Sequence, residues 1–369
     1  AAFVFIDAID PVGTINCEVY KMMGNIFKKT KLYEKYLDSN AEQCSDVGIY
    51  MDFSSFINYD ENEKHIKDAS YDIKPIENAY TIAKTLINAN IPYSVITRKN
   101  LEKLHTYQVI IVSDIMSFDE IEIQALTDYV KNGGNIYASG RTSLLKKNTH
   151  QMEVCEVSSH LSNNLCDNYL CNDFQLSKLF GVSLDGQTDE NITYMRPTED
   201  GKNLFESFSV KYPMMISNYQ IKVKIRNDAN DSVKILAKLT LPYTNPKDNN
   251  KFSSAISNPP GIDTEIPVLV LSRYGKGKVI YSSGKIEEIK HEAQSKVFTN
   301  IIKSLFTKAP KFESNAHKPV EITLFNQEAM KRYIINILNY QKDLPNVPAP
   351  GIKIKINTEG IKPVNLYKL

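Results

Sequence analysis

Runs with the length and composition of buried strands alternate with amphipathic helices in the first half of this chain, and no other feature restricts the fold as strongly. Apolar residues at helical spacing predict two helices, over residues 76–89 and 118–130. The strand candidates around them cover residues 47–53, 93–96, 107–112 and 135–139. Strands joined by helices of this length are connected by right-handed crossovers. The alternation therefore predicts an α/β fold whose parallel sheet is doubly wound, with helices on both faces.

Short motifs mark the two ends of the second helix. Ser117 and Glu120, three residues apart, have the pattern of a capping box, which satisfies free backbone N–H groups at a helix start. Asn132-Gly133-Gly134 follows the helix and supplies residues that tolerate the left-handed conformation of a helix end. We therefore expect the chain to re-enter the sheet directly after the two glycines.

The periodic pattern weakens between residues 142 and 217, which indicates an insertion into this α/β unit. A period of two then returns and predicts strands. The expected elements are a short helix at 174–180, strands at 220–225 and 233–241, a long loop at 244–261, strands at 267–274 and 278–282, and a helix at 293–306. Gly275-Lys276-Gly277 joins the last two strands as a tight hairpin turn, because it lacks the flanking glycine and Lys-Ser/Thr pattern of a phosphate-binding loop.

A small β module is expected at the C-terminus. Pro310 cannot continue the helix before it, and the later residues alternate apolar with polar side chains, which is typical of an antiparallel sheet with one face in water. The expected strands are 320–325, 332–338, 352–356 and 364–367. We therefore predict a sandwich-like all-β domain at residues 316–369, docked on its neighbour because so short a chain has a marginal core.

The chain opens with an apolar strand that ends in carboxylates, and a helical pattern over residues 16–37 follows it. Barrel enzymes present functional residues in this way, at the carboxyl ends of their strands. We interpret residues 1–40 as the last strand and helix of a (β/α)8 barrel whose other strands lie upstream. Asp7 and Asp10 are then candidates to contact a substrate at the barrel mouth. The alternative is that Asp10-Pro11 only caps the helix, since proline is favoured in a first helical turn.

Composition argues against several classes of partner. The 44 basic and 43 acidic residues nearly cancel, so no overall charge attracts nucleic acid or an anionic membrane. No apolar run approaches the roughly 18 residues that a membrane span needs. The five cysteines are scattered without a Cys-x-x-Cys pair, which argues against a disulfide framework and a zinc site. We therefore expect no metal, no cofactor and a reducing, cytoplasmic location.

Three segments of the α/β unit, taken in order, resemble the trimerisation domain of family 42 β-galactosidases. That domain belongs to the class I glutamine-amidotransferase-like superfamily. The segments are residues 81–96, 104–112 and 126–140. Residues 273–281 also resemble the point where those enzymes return to the sheet, and the β module takes the place of their small C-terminal domain. The resemblance implies a flavodoxin-like trimerisation domain over residues 45–309, with the insertion around 142–217.

The resemblance also implies a role. Retaining glycosidases use two carboxylates about 5 Å apart, and in this family both lie on barrel strands, upstream of Ala1. The chain would then be the C-terminal, non-catalytic part of a β-galactosidase-like glycoside hydrolase, with no catalytic residue of its own. It would serve oligomerisation, as a homotrimer, and scaffolding, and it would meet carbohydrate only through the missing barrel. A stand-alone protein-interaction module with a degenerate amidotransferase-like fold and no hydrolase activity is the alternative.

An active amidotransferase or peptidase of the same superfamily is a competing enzyme class. Such enzymes place a cysteine on the sharp turn after a central strand and activate it with a histidine. The corresponding turn here, residues 139–143, contains no cysteine, and His291-Glu292 lacks the His-x-Glu spacing of those enzymes. Arg141 and Ser143 could form a binding contact, because open α/β sheets bind ligands at the carboxyl ends of their strands. The plainer interpretation of both residues is that they start a helix or lie in a loop in water.

Overall fold

The computed structural model describes residues 12–36, 40–52, 74–146, 173–229, 231–245, 248–254, 257–343, 345–358, 360 and 365–366. Some predictions fall on other residues. The opening strand with Asp7 and Asp10, much of the insertion, and both ends of the predicted strand 364–367 lie outside the described residues.

Helices and strands alternate through the first half of the structure, as the sequence predicts. The helices within the described residues are α1 (Cys17–Lys31), α2 (Lys74–Asn88), α3 (Glu120–Lys131), α4 (Ser177–Phe180) and α5 (Glu292–Ser304). The strands are β1 (Glu42–Gln43), β2 (Val47–Tyr50), β3 (Tyr93–Ile96), β4 (Val109–Ser113), β5 (Ser117–Phe118), β6 (Asn135–Ser139), β7 (Leu145–Lys146), β8 (Val182–Gln187), β9 (Thr193–Pro197), β10 (Met214–Ile216), β11 (Ile221–Ile225), β12 (Val233–Pro242), β13 (Pro260–Tyr274), β14 (Gly277–Ser282), β15 (Phe312–Ser314), β16 (Val320–Gln327), β17 (Arg332–Asn339) and β18 (Ile354–Ile356). Short 3-10 helices lie at Glu34–Tyr36, Arg98–Thr106, Asn227–Ala229, Ile286–Glu288 and Glu328–Met330.

A mixed nine-stranded sheet forms the centre of the molecule. Its strand order is β10-β9-β12-β13-β14-β6-β4-β2-β3. The five strands from β14 to β3 run parallel, and β2, the first of these five in the chain, lies between β3 and β4. The other four strands are antiparallel to their neighbours.

The predicted α/β class is therefore confirmed, and so is the predicted hairpin at Gly275–Gly277, but the sheet is mixed and its parallel part is limited to five strands. The reason is the hairpin at Gly275, whose φ is +57°. A tight turn reverses the chain direction, so β13 and β14 must be antiparallel. β12 and β9 continue that antiparallel pattern away from the parallel strands.

Apolar side chains of the central strands fill two cores, one on each face of the sheet. Along β4, Val109 and Ile111 pack in the core that contains residues of α2 and α5, whereas Ile110 and Val112 pack in the core that contains residues of α3 and α4. All four side chains are fully buried. Because a strand that is apolar on both faces must be covered twice, this alternation explains why helices lie on both sides of the sheet.

α3 begins two residues later than the sequence predicts. Its N-cap is Asp119, whose carboxylate accepts the N–H of Glu122 at 2.8 Å, and the Glu122 carboxylate accepts the N–H of Asp119 at 2.9 Å. A capping box is present, but the prediction that Ser117 and Glu120 form it is wrong. Ser117 belongs to β5, which pairs with β7 and keeps the chain extended. The helix ends as expected at Gly133, which has a φ of +112°.

Two small antiparallel sheets lie toward the C-terminus. β16 and β17 form a hairpin, and β1 pairs with the other edge of β16. β15 pairs with β18 and lies ahead of residue 316, where the β domain is predicted to begin. β13 is longer than predicted because it begins at Pro260, within the expected loop.

α1 confirms the predicted amphipathic helix. The Asn16 side chain caps it by accepting the N–H of Val19 at 3.2 Å, and none of the helix residues is buried. The 3-10 turn after it contacts the C-terminal hairpin, since Arg332 donates to the carbonyl of Lys35 at 2.6 Å and lies 4.6 Å from the ring centre of Tyr36. Among the helices of the described residues, none has the length and hydrophobicity to cross a membrane.

Candidate functional site

Three charged side chains meet at the carboxyl edge of the parallel strands. Asp114 directly follows β4, Arg141 lies two residues beyond β6, and Lys285 follows β14 after a short turn. The three strands are parallel neighbours, so their ends bring these residues together. Open α/β sheets bind ligands at this edge. Asp114, Arg141 and Lys285, named here the carboxyl-edge cluster, are therefore the candidate site.

Asp114 is the centre of the carboxyl-edge cluster. Its Oδ1 accepts the backbone N–H of Arg141 at 2.7 Å, and its Oδ2 accepts Nη2 of Arg141 at 2.9 Å and Nζ of Lys285 at 3.3 Å. Lys285 also pairs with Glu288 at 2.6 Å. The Asp114 side chain is 7% exposed, against 27% for Arg141 and 21% for Lys285. One buried carboxylate is thus shared by two partly buried cations.

The charges of this cluster hold one another ionised. Burial raises the pKa of Asp114, but the charges of Arg141 and Lys285 more than offset burial and lower that pKa to about 2. Burial lowers the pKa of Lys285, whereas the Asp114 carboxylate raises it, and the net result is a rise. Asp114 also raises the pKa of Arg141. All three groups are therefore charged near neutral pH, and none is poised to exchange a proton with a substrate.

A second buried carboxylate lies on the turn that follows β14. Glu287 is 2% exposed and accepts hydrogen bonds from the hydroxyls of Ser113 at 2.5 Å, Tyr137 at 2.6 Å and Ser139. Burial raises the pKa of Glu287, its three hydroxyl donors lower it, and the net result is a rise. These donors lie on β4 and β6, so the carboxylate ties together the ends of three strands. Enclosed in this way, Glu287 is not accessible to a substrate.

Gly140, in the turn after β6, has no room for a side chain. Gly140 lies there with a φ of +59°, and a Cβ on it would lie 2.5 Å from Oδ1 of Asp114. Tyr281 donates its hydroxyl to the Gly140 carbonyl at 2.7 Å. Thr142 donates its hydroxyl to the Ser139 carbonyl at 2.6 Å. The Asp114 carboxylate therefore occupies the space that a side chain at residue 140 would need.

The two candidate residues on this turn have different surroundings. Arg141 lies in the carboxyl-edge cluster, with its guanidinium paired to Asp114, and its assignment to substrate binding stays a prediction. Ser143 is fully buried, since its Oγ accepts the N–H of Leu176 at 3.2 Å and its own N–H donates to the carbonyl of Ile115 at 2.9 Å. The interpretation of Ser143 as a ligand contact or as a loop residue in water is therefore wrong.

Sequence analysis missed Asp114, Lys285 and Glu287. Asp114 directly follows a buried strand, and that position is a signal that could have identified it. No local signal identifies Lys285 or Glu287, because their partners are far away in the sequence. Lys285 lies 171 residues from Asp114, and Glu287 lies 174 residues from Ser113. Their contacts depend on β14 lying beside β6, which periodicity alone does not predict.

The chemistry open to this site is limited by these contacts. The partly exposed groups of the carboxyl-edge cluster are the guanidinium of Arg141 and the ammonium of Lys285, which can donate to an anion or a hydroxyl. Across the described part of the chain, no group of three or more His, Cys, Asp or Glu residues could hold a metal ion. The arrangement fits binding or structural anchoring better than nucleophilic catalysis.

Solved structures share this fold, although no protein-family model and no curated protein matches the chain. α-L-Fucosidase isoenzyme 2 from Paenibacillus thiaminolyticus superposes with a TM-score of 0.62 and 16% identity, over 94% of this chain and 47% of its own. The cold-adapted β-galactosidase from Rahnella sp. R3 gives 0.59 and 16%, over 94% and 45%. The GH42 β-galactosidase Gan42B from G. stearothermophilus gives 0.57 and 14%, over 87% and 38%.

The chain thus has the fold of part of GH42-like glycoside hydrolases. It spans less than half the length of each of these three structures.

Proposed function

We propose that this chain is the C-terminal, non-catalytic part of a β-galactosidase-like glycoside hydrolase and that it serves oligomerisation and scaffolding. In this proposal residues 1–40 are the end of a (β/α)8 barrel. Residues 45–309 are a flavodoxin-like, amidotransferase-like domain with its insertion around 142–217. Residues 316–369 are a small β domain.

The coverage of the solved structures is the observation that carries this proposal. The α-L-fucosidase and the Rahnella β-galactosidase each match 94% of this chain, which corresponds to only 47% and 45% of their own lengths. More than half of each neighbour therefore lies outside the match. The two neighbours are named for different sugars and opposite anomeric linkages, yet they share this fold. A region common to both does not determine which bond is cleaved, and this favours a supporting role.

The carboxyl-edge cluster supports the same role. In the proposed amidotransferase-like domain Gly140 would take the nucleophile position, and it has no space for a side chain. The nearby carboxylates of Asp114 and Glu287 are held by protein donors. The chemistry of the proposed enzyme then depends on carboxylates upstream. Asp7, Asp10 and Arg141 are proposed as contacts to the carbohydrate substrate.

The test compares the natural gene product with the 369-residue chain. We expect a natural polypeptide about twice as long, because the match to the two neighbours covers 94% of this chain but only 47% and 45% of their own lengths. That polypeptide should hydrolyse nitrophenyl β-galactoside or α-fucoside, whereas the 369-residue chain should hydrolyse neither.

Two results would overturn the proposal. Hydrolysis by the 369-residue chain would contradict a non-catalytic role. A natural product of 369 residues that is monomeric would instead support the alternative, a stand-alone interaction module.

A further inference from the structure

β17 presents a long edge that pairs with no second strand among the described residues, although the Asn346 side chain donates to the carbonyl of Asn339 at the far end of the strand. It pairs with β16 on one side, at the end of the β1-β16-β17 sheet. The stretch from Tyr333 to Tyr340 contains no charged residue and no proline. Ile337 and Leu338, on opposite faces of the strand, are 53% and 56% exposed. An uncharged apolar edge strand of this kind is a template for pairing with another strand.

The other sheet edges in the described part of the chain are protected in ways that β17 is not. The nine-stranded sheet ends in β3 and β10, which have four and three residues. β1, at the other edge of the β17 sheet, has two residues. β11 carries Lys222 and Lys224, and its partner β8 carries Asp185. Short strands and charges are the usual protection of a free edge, whereas β17 has eight residues and a basic side chain only at its first position.

We propose that β17 pairs with β17 of a second copy of this chain, antiparallel and about a two-fold axis, to form one continuous six-stranded sheet. The axis is perpendicular to the sheet, so residues on one face meet residues on the same face. Centred on Asn336, this register places Ile335 opposite Ile337 of the second copy on one face, and Ile334 opposite Leu338 on the other. The most exposed apolar side chains of the strand are thereby covered.

The ends of the strand are also compatible with this register. Arg332 lies opposite Tyr340 of the second copy, and Lys331 lies opposite Gln341. Tyr340 is 69% exposed in one copy, and the second copy would cover it in part, while Arg332 keeps its contacts to Lys35 and Tyr36. No like charges meet in these pairs, and Asn336 faces Asn336 across the axis. Self-complementarity of this kind is what an interface between identical subunits requires.

The inference rests on the oligomeric role proposed above. It adds a two-fold contact between copies, which the resemblance to a trimerisation domain does not imply. A two-fold contact cannot close a ring of three. With this contact alone the chain is a dimer, and combined with a three-fold contact elsewhere it is a hexamer. In both cases the number of copies is even.

Asn336 allows a direct test because it faces itself across the axis and its side chain is exposed. Asn336→Lys and Asn336→Asp each place like charges directly opposite each other, which disfavours pairing. An equimolar mixture of the two variants places opposite charges there instead. We expect light scattering to show an even number of copies for the unmodified chain, half that mass for each variant alone, and the full mass again for the mixture.

Asn227→Lys, at an exposed position on another part of the surface, is the matched control and should leave the mass unchanged. Far-UV circular dichroism of all three variants should equal that of the unmodified chain, because the Asn336 side chain makes one hydrogen bond, a 3.3 Å contact to Thr323. An unmodified chain that is monomeric or trimeric, or an Asn336→Lys variant of unchanged mass, would overturn the pairing. Neither result depends on the hydrolysis assay, so the two proposals can fail separately.

Discussion

Replacing Asp114 by Asn removes the charge at the centre of the carboxyl-edge cluster while keeping the side-chain size. The pKa of Asp114 falls from its usual 3.8 to about 2 in the folded chain, which corresponds to about 2 kcal/mol of stability at neutral pH. The variant also leaves Arg141 and Lys285 without their shared carboxylate. Their side chains are 27% and 21% exposed and can turn toward water, so we expect a total loss of about 2–3 kcal/mol, near the lower end for a buried pair.

The sign of the pH dependence follows from the lowered pKa. The contribution of the Asp114 carboxylate is fully present above pH 3.8 and is lost as pH falls through that value toward 2. The difference between the unmodified chain and Asp114→Asn should therefore be constant from neutral pH to about pH 5, and smaller at pH 3. Urea unfolding followed by far-UV circular dichroism measures it, since the chain contains no tryptophan for fluorescence.

Asp228→Asn is the matched control, because Asp228 also pairs with an arginine, Arg226, at 2.9 Å but is 62% exposed. Exposed pairs contribute little, so this variant should unfold at nearly the same urea concentration as the unmodified chain. A loss for Asp114→Asn that equals the loss of the control, or one that is the same at pH 7 and pH 3, would refute the reasoning.

Three further substitutions test other contacts by the same unfolding assay. Gly140→Ala should lower the free energy of unfolding by about 2 kcal/mol or more, because residue 140 has a φ of +59° and its Cβ would meet a carboxylate oxygen at 2.5 Å. Gly24→Ala is the control and should not destabilise the chain, since a Cβ there meets nothing within 4 Å. Equal effects of the two substitutions would contradict this reasoning. Asp119→Ala should cost about 1 kcal/mol by removing the N-cap of α3, and an unchanged midpoint would show that the cap is dispensable. The pKa of Glu287 is raised in the folded state, so the unmodified chain loses stability as pH rises above 4.5 and the carboxyl group must ionise. The Glu287→Gln variant has no such group and should therefore become more stable relative to the unmodified chain over that range. A difference in stability between the two proteins that does not change with pH would refute this prediction.

Much of the α/β core could be predicted because local pattern and burial agree there. The strand predicted at residues 135–139 coincides with β6, and the one at 93–96 coincides with β3. Gly133 ends α3 at a positive φ, which a glycine signals in the sequence itself. The start of α3 is displaced because a tertiary contact, the pairing of β5 with β7, keeps Ser117 extended. Local capping rules contain no information about that contact.

The candidate site could be predicted only in part, because its contacts depend on strand order. Arg141 was found from its position after a strand of the sheet. Its partner Asp114 is 27 residues away, and Lys285 is 171 residues from Asp114. The sequence predicts that these three strands exist, but not that β14 lies beside β6. The hairpin at Gly275–Gly277 predicted that β13 and β14 are antiparallel, but nothing in the sequence predicted the place of β12 and β9 beyond them in the same sheet.

The filled turn at Gly140 also has an evolutionary consequence. A side chain introduced at residue 140 alone would bring its Cβ against the Asp114 carboxylate, and removal of Asp114 alone would leave Arg141 and Lys285 without their shared carboxylate. Each single change lowers stability. Residues 140 and 114 can therefore change only together without a loss of stability, and selection for stability opposes either change as a first step.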